Sequence, residues 1–300
     1  MTRLPHLKSP FVLAPMVGVT DVAFRILCKR QGAGLVFTEM TMAESILRRQ
    51  KPIPVVEEER PIALQLGGKD PEKMLKAAQT YEHIVDILDV NCGCPASKAV
   101  RIGTGASLLS KPELLARIVK HLSSNLSIPV SVKIRLGEKN SNALAKCIEE
   151  SGASLLTVHG RTATQGYSGK ARWDIIAKVK EQAGIPVIGN GDIFSAQDAL
   201  SFKKESGVDY VMIGRAAAKN PRIFAECNAL LKNKYLETRA EDKFSLCNDY
   251  LELAARHVIH FSVIKDHIVH FTKGLKGSAA LRAQLMQAKT LAQLKGLLPA

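Results

Sequence analysis

The sequence lacks a long apolar run, and its N-terminus is not hydrophobic. No apolar stretch approaches the roughly 18 residues that a membrane-spanning helix needs, so the pattern excludes an integral membrane protein. The first ten residues, MTRLPHLKSP, contain no apolar core of the kind found in secretory signal peptides. We therefore expect a cytoplasmic protein with no membrane partner.

The sequence also has few cysteines that lie close to one another along the chain. The six cysteines are scattered along a chain without export signals, which is typical of reduced thiols. Only Cys92 and Cys94 lie close together, and a disulfide between residues two apart would be badly strained. A zinc site usually needs at least two residues between paired cysteine ligands and a second pair elsewhere. The sequence thus predicts free thiols and no metal bound by cysteine.

Acidic residues are few in comparison with basic ones. The chain has 42 Lys and Arg against 28 Asp and Glu, a formal net charge of +14. A polyanionic partner would explain this excess, because each neutralised phosphate releases condensed counterions. The alternative is a basic surface with no special partner.

Eight short apolar runs, rich in β-branched residues, alternate with amphipathic segments. They begin at residues 11, 35, 61, 87, 129, 155, 186 and 210, mostly 24 to 31 residues apart, the length of one strand and one helix. The runs lack in–out alternation, as parallel strands buried on both faces do. Eight such units predict a (β/α)8 TIM barrel, with an extended loop in the longer interval after residue 87. A doubly wound sheet would show fewer strands and a glycine-rich first turn.

The pattern changes after residue 235. Residues 240–300 contain no strand-like run and read as helices, with seven Lys or Arg against two Asp or Glu from Tyr250 onward. We therefore predict a barrel domain over 1–235 and a small C-terminal helical domain over 240–300. His257, His260, His267 and His270 in this tail form two H-x-x-H pairs, for which a metal site is the alternative to surface or RNA-contacting histidines.

Polar residues stand at the end of nearly every predicted strand, where this fold places its active sites. Exposure of strand ends explains one or two such residues, but hardly a Gln, an Asn, a Lys, a His and an Arg converging on one mouth. In chain order these strand-end residues are Pro15 and Met16, Glu39, Gln65, Asn91 followed by Cys94, Lys133 with Arg135, His159 with Arg161, Asn190 to Asp192, and Gly214 with Arg215.

Two glycine-containing turns, GNGDI and IGRAAAKNP, follow the last two predicted strands. That is the usual phosphate site of the fold, although ordinary tight turns favour the same residues. A phosphate there suggests a cofactor such as FMN, with its ring over the barrel mouth. Lys133 would then stabilise negative charge on the reduced ring, and Gln65 would hydrogen-bond the ring edge.

The two neighbouring cysteines differ in position. Cys92 ends its strand and is expected to be a small buried side chain. Cys94 lies in a Gly-Cys-Pro turn beyond the strand, where it can reach over the mouth. An unperturbed thiol, with a pKa of about 8.5, can serve as an acid near neutrality. The alternative is a nucleophile, with His159 as the activating base.

Taken in order, these segments resemble the successive motifs of the tRNA-dihydrouridine synthases over about residues 11–225. The segments are APMVGVTDVAFR, GAGLVFTEM, QLGGKDPEKM, NCGCPASK, GASLLSKPELL, PVSVKIRLG, TVHGRTATQGYSGKARWD, PVIGNGDI and VDYVMIGRAAAKNPRIF. The tail, with HFTKGLKGS, is more loosely similar to the C-terminal tRNA-binding domain of that family.

The resemblance implies an enzyme that reduces a uridine of tRNA to 5,6-dihydrouridine, with bound FMN and with NADPH as reductant. It implies that Cys94 donates the proton, that Asn91 orients the uracil, and that Arg161 lies near the substrate. The implied flavin contacts are Pro15, Met16 and Val17 through their backbone, Gln65 and Lys133 at the ring, His159 near the ring, and Asn190, Gly191, Asp192, Gly214 and Arg215 at the phosphate.

Two other functions fit parts of the pattern. One is an FMN barrel that reacts with a free pyrimidine, such as a dihydroorotate dehydrogenase, which the charge of +14 and the helical tail fit poorly. The other is an RNA-binding barrel that has lost catalysis. No obligate protein partner is indicated.

Overall fold

A parallel sheet of nine strands forms the centre of the molecule in the computed structural model, which describes residues 2–48, 53–137, 140–275 and 277–299. Eight of the strands are the predicted ones, and a two-residue strand pairs in addition with the end of the third predicted strand. The strands are β1 (Phe11–Leu13), β2 (Val36–Phe37), β3 (Thr41–Met42), β4 (Ile62–Gly67), β5 (Ile87–Cys92), β6 (Val130–Leu136), β7 (Leu155–Thr162), β8 (Val187–Asn190) and β9 (Tyr210–Ile213).

The sheet closes into a barrel. Its order is β1-β9-β8-β7-β6-β5-β4-β2, and every neighbouring pair is parallel. The ring is completed between β1 and β2 by two hydrogen bonds: the N–H of Leu13 donates to the carbonyl of Leu35 at 2.9 Å, and the N–H of Gly34 donates to that of Phe11 at 2.8 Å. A Cβ on Gly34 would lie 2.0 Å from the Ser9 carbonyl oxygen, so this closure requires glycine. The predicted TIM barrel is confirmed.

Helices cover the outside of the barrel, and their ends follow local capping rules. Ser195 and Asp198 form a capping box at the start of α8, and Gly207 ends that helix with φ 67°. The predicted long loop after β5 contains α4 and a short 3-10 helix, Gly105–Ser110. The helices are α1 (Val22–Arg30), α2 (Ala43–Leu47), α3 (Pro71–Gln79), α4 (Ser97–Arg101), α5 (Pro112–Asn125), α6 (Ser141–Glu150), α7 (Trp173–Gln182), α8 (Ala196–Ser206), α9 (Arg215–Lys219) and α10 (Ile223–Leu231).

The interior of the barrel changes from apolar to polar along the strands. Because alternate residues of a strand face the same side, each strand contributes an inward series. The earlier members of these series, together with Met212 from the end of β9, form an apolar cluster that includes Val12, Ala63, Ile87, Leu155 and Ile188. The later members are polar, namely Gln65, Asp89, Asn91, Ser131, Lys133, Thr157, His159 and Asn190. The functional groups of the barrel are therefore concentrated at the C-terminal ends of the strands.

The C-terminal helices pack beside that end of the barrel. They are α11 (Ala240–Arg256), α12 (Phe261–Phe271), α13 (Ser278–Gln287) and α14 (Leu291–Leu297). Helix α11 packs on α1, and α12 packs on α9, which follows the last strand. Residues 232–239 join this unit to the barrel without helix or strand, and the division into two domains there stays a prediction.

A carboxylate that is only 10% exposed, that of Asp21, connects the helical unit to the barrel. Asp21 caps α1 and accepts hydrogen bonds from Tyr250 Oη and His267 Nε2, each at 3.0 Å. His267 Nε2 also lies 2.9 Å from the Val19 carbonyl oxygen, and since both partners are acceptors this nitrogen carries a proton. The Phe24 ring stacks on His267 with centroids 4.7 Å apart. Helix α12 is thereby fixed against the loop that follows β1.

Neither a metal-ligand cluster nor a membrane-spanning helix occurs in the described part of the chain. Within those residues, no cluster of three or more His, Cys, Asp or Glu side chains has the arrangement of a metal site. None of the helices described there combines the length and the hydropathy needed to span a membrane.

Candidate active site

A cavity of about 440 Å³ opens at the C-terminal ends of the strands. Thirteen of the fourteen site residues predicted from the sequence line it, and Arg161 is the exception. The thirteen are Pro15, Met16, Val17, Gln65, Asn91, Cys94, Lys133, His159, Asn190, Gly191, Asp192, Gly214 and Arg215. The structure thus brings these residues together, while the role of each one stays a prediction.

The turn that carries Cys94 is held by the side chain of Asn91. Asn91 Oδ1 accepts hydrogen bonds from the backbone N–H groups of Gly93, at 3.3 Å, and of Cys94, at 3.0 Å. Asn91 Nδ2 in turn donates to Gln65 Oε1 at 2.8 Å. Both amide side chains are nearly fully buried, so the turn is anchored in the barrel interior rather than in solvent.

A buried carboxylate lies below these two amides. Asp89 is fully buried and accepts hydrogen bonds from Gln65 Nε2, at 2.7 Å, and from Ser131 Oγ, at 2.5 Å. Burial raises the pKa of Asp89 to about 6, although both hydrogen bonds and the charge of Lys133 oppose the rise. Sequence reasoning missed Asp89, yet the period of two in Ile87, Asp89 and Asn91 already places it on the inward face.

The two cysteines of this segment have different surroundings. Cys92 is fully buried, as predicted, and burial followed by the charge of Asp89 raises the pKa of its thiol. Cys94 is partly exposed and lines the cavity, and its carbonyl accepts a hydrogen bond from the Ala106 N–H at 2.9 Å. Gly105, with φ 60°, permits this contact, since a Cβ there would lie 2.7 Å from the Cys94 oxygen. The long loop after β5 therefore packs against the Cys94 turn.

Lys133 brings a cation into the same cavity. Its Nζ lies 3.4 Å from Asn190 Oδ1, and Asn190 is held by a hydrogen bond to the Met212 carbonyl at 2.9 Å. Burial lowers the pKa of Lys133 to about 8, and Arg135 acts in the same direction, whereas Asp89 and Cys94 oppose the change. Lys133 is therefore mostly charged at pH 7 and loses its charge under mildly alkaline conditions.

His159 is a neutral imidazole in this site. Burial lowers its pKa to about 2, and the positive charges of Lys133 and of three arginines add to the effect. A base with such a low pKa takes a proton from a thiol only weakly. The lowered pKa therefore disfavours a nucleophilic cysteine activated by His159, and it leaves the imidazole as a neutral hydrogen-bonding group.

Arg161 lies behind the cavity wall. The register between β6 and β7 shifts after Arg135, and this irregularity breaks the inward alternation near Arg161. The Arg161 guanidinium is almost fully buried and donates to both carboxylate oxygens of Asp192 at 2.8 Å. Among the described residues its Nη1 has no hydrogen-bond partner. These contacts hold the Arg161 guanidinium against Asp192, and its contact with the substrate stays a prediction.

Asp192 accepts hydrogen bonds from residues of several elements. It also accepts hydrogen bonds from the Ala171 N–H, at 2.7 Å, and from Arg215 Nη2, at 3.2 Å. Burial alone would raise the pKa of Asp192, but these hydrogen bonds and the charges of Arg161 and Arg215 hold it below its usual value. An ionised Asp192 thus fixes two guanidinium groups at one end of the cavity.

Two residues to which the sequence analysis assigned no role, Arg135 and Tyr167, also line the cavity. Arg135 donates to the carbonyls of Gly93, Thr162 and Gly166, at 3.0, 2.9 and 2.7 Å, and so joins the Cys94 turn to the loop after β7. Tyr167, in that loop, is 66% exposed, and its ring centroid lies 4.9 Å from the Arg215 guanidinium. The strand-end position of Arg135 was visible in the sequence, whereas a tyrosine in a polar loop gives no such signal.

Comparison with known proteins gives one consistent result. The family model described as "Dihydrouridine synthase (Dus)" matches residues 12–299. The chain is 36% identical over 303 residues to "tRNA-dihydrouridine synthase B" of Xanthomonas axonopodis pv. citri, covering 95% of this chain and 91% of the relative. It is 35% identical over 300 residues to "Probable tRNA-dihydrouridine synthase" of Aquifex aeolicus, covering 96% and 94%.

Among solved structures, the fold is similar to that of histamine dehydrogenase from Rhizobium sp. 4-9. The TM-score is 0.57 at 12% identity, over 83% of this chain and 50% of the other. At this identity the likeness concerns the barrel fold alone.

Proposed function

Since the chain belongs to the dihydrouridine synthase family, whose members are oxidoreductases, we propose that it reduces a specific uridine of tRNA to 5,6-dihydrouridine with bound FMN and with NADPH as reductant. The observation that carries the proposal is the position of Cys94. Among the described cysteines, it alone lines the cavity, and Lys133 lies at the same mouth.

The cavity suits a flavin ring. Met16, Met40 and Met212 supply apolar surface, and Gln65 and Lys133 supply polar groups. An amide and an ammonium group match the carbonyl and nitrogen edge of an isoalloxazine, which gains negative charge on reduction. In our proposal Lys133 balances that charge, and Gln65 uses the amide hydrogen not taken by Asp89.

Another part of the cavity suits a phosphate. Gly191 and Gly214 line it, and no described residue accepts a hydrogen bond from their backbone N–H groups. Gly191 has φ 129°, and a Cβ there would lie 2.7 Å from Ala171 Cβ. Arg215, held by Asp192, adds a positive charge. Backbone donors near a guanidinium are a typical anion site, which supports FMN over an unphosphorylated flavin.

FMN held by Gln65, Lys133, Gly191, Gly214 and Arg215 would, once reduced, be the source of the hydride that C6 of the uracil ring must receive. The Lys133 ammonium stabilises the negative charge that develops on the uracil. The Cys94 thiol donates a proton to C5, which completes the reduction. Asn91 and the neutral imidazole of His159 orient the pyrimidine by hydrogen bonds.

A stacked base cannot enter a barrel mouth, so the target uridine must be extruded from the tRNA. We propose that Lys98 and Arg101, exposed on α4 in the loop that carries Cys94, contact the surrounding phosphates. We propose residues 240–300 as the tRNA-binding unit, since α12 packs beside the mouth and the tail is basic. We expect the enzyme to act in the cytoplasm.

The test is reoxidation of the bound flavin. The purified protein is reduced with NADPH without oxygen and mixed with transcript tRNA, free uracil or orotate. We expect a yellow protein that releases FMN on denaturation and is reoxidised by tRNA alone, with formation of dihydrouridine. Reoxidation by orotate but not by tRNA would indicate the free-pyrimidine enzyme. A colourless protein that takes up no FMN would indicate the RNA-binding barrel.

A further inference from the structure

Asp89 has no part in the reaction described above, although it lies directly beneath the cavity. It is fully buried and does not line the cavity itself, whereas its partner Gln65 does. We propose that Asp89 is a positioning residue, which fixes the orientation of two amide side chains and through them the turn that carries Cys94. The positioning of the Cys94 turn by Asp89 does not depend on the proposed function. Only the effect of Asp89 on the reaction rests on that function.

The two ends of a hydrogen-bonded chain determine how both amides are oriented. At one end, the backbone N–H groups of Gly93 and Cys94 can only donate, so they require the oxygen of the Asn91 amide. At the other end, an ionised Asp89 can only accept, so it requires the nitrogen of the Gln65 amide. The link between the two amides, from Asn91 Nδ2 to Gln65 Oε1, satisfies both conditions.

No other arrangement of the two amides satisfies every link. If the Gln65 amide turned over, two oxygens would meet at Asp89 and two nitrogens would meet at Asn91. If Asn91 turned over as well, its nitrogen would face the N–H groups of the Cys94 turn. Buried groups left without partners are destabilising, because they have lost their hydrogen bonds to water and gained none in the protein. Asp89 therefore determines, through Gln65, whether Asn91 presents its oxygen or its nitrogen to the turn.

Ser131 adds a second constraint on the carboxylate. Its hydroxyl donates to Asp89 Oδ1, which leaves Oδ2 for Gln65. Asparagine at position 89 would keep this pattern, since its oxygen can accept from Gln65 and its nitrogen can donate to the Ser131 hydroxyl. Leucine, of similar size, would remove the acceptor. The pair D89N and D89L thus separates hydrogen bonding from the mere filling of space.

The test measures how tightly the Cys94 turn is held in the protein without flavin. The rate of Cys94 alkylation by iodoacetamide is followed by mass spectrometry of its peptide, with partly exposed Cys147 on α6 as internal reference. We expect D89L to alkylate faster at Cys94 by about fivefold, equivalent to one hydrogen bond of about 1 kcal/mol. D89N should match the unmodified protein, and Cys147 should not change in either variant.

A double-mutant cycle tests the route of the effect. If Asp89 acts through Asn91, D89L should add nothing to the alkylation rate of an N91A protein. The proposal would be overturned if Cys94 were alkylated at equal rates in D89L and the unmodified protein. It would also be overturned if the rate at Cys147 changed in the same way, or if the effects of D89L and N91A were additive. If D89L does not fold, Q65M breaks the same chain at its middle and carries the same expectations.

The rate of tRNA reduction provides a further measurement. In single turnovers at saturating tRNA, we expect D89L to be slower than D89N, and equal rates would contradict the catalytic consequence. A lack of tRNA reduction in the unmodified protein, together with the expected alkylation pattern, would reject the proposed function and leave the positioning role intact.

Discussion

Replacing Cys94 with alanine removes, among the described residues, the one thiol that reaches the cavity. A positioned general acid contributes about 10²–10⁴-fold to a rate. His159 cannot replace it, because its imidazole is neutral, with its pKa lowered to about 2. Lys133, with a pKa lowered to about 8, is the remaining acid at the mouth. We therefore expect C94A to lose about 10²–10³-fold, roughly 3–4 kcal/mol, in the rate of tRNA reduction at pH 7.

The assay is a single turnover of reduced enzyme with transcript tRNA, in which flavin reoxidation and dihydrouridine are both recorded. Flavin content and tRNA affinity should be unchanged, because alanine removes only the sulfur. The matched control is C92A, in which a small cavity in the core costs about 1 kcal/mol of stability and leaves the rate unchanged. Full activity in C94A would refute the assignment, and a folded but inactive C92A would show that the other sulfur does the chemistry.

Three further predictions concern single groups. Lys133, with its pKa lowered to about 8, loses its charge between pH 7 and pH 9, so the rate of tRNA reduction should fall over that range, and K133R, whose guanidinium stays charged, should lose a smaller fraction of its rate between these two pH values than the unmodified protein. In E59A, Arg25 would lose its buried partner at 2.7 Å, and urea denaturation should show a loss of about 3–5 kcal/mol, while an unchanged midpoint would contradict a structural role for the pair. In Y250F, Asp21 loses one hydrogen bond at 3.0 Å, and the free energy of unfolding should fall by about 1.5–3 kcal/mol, with no change in flavin content.

Strand order and the main site could be predicted because both depend on local sequence. Run lengths and gaps define the βα units, and parallel strands bring their C-terminal ends together whatever the details of packing. Arg161 shows what this reasoning does not reveal. Its position after His159 suggests the cavity, but the register shift between β6 and β7 redirects it, and its partner Asp192 comes from a different strand end.

Other features depend on pairing across the barrel, which a single sequence does not reveal. The hydrogen bond between Gln65 and Asp89 joins residues 24 positions apart, and neither segment contains a signal that predicts this pairing. Closure between β1 and β2 rests on Gly34, whose need for space arises from the approach of the Ser9 carbonyl. Tyr167 reaches the mouth because Arg135 binds the loop around it, and loop conformations of this kind follow from tertiary contacts.

The sharing of Asp21 by α1, Tyr250 and His267 restricts how the tail can be exchanged. A chimera that takes its last sixty or so residues from a relative, in order to redirect the enzyme to another uridine, must bring a matching phenol and imidazole. Otherwise the graft leaves a carboxylate in an apolar junction and the Val19 carbonyl without its donor. A tail taken from a relative should therefore be transplanted together with the residue that the relative has at position 21.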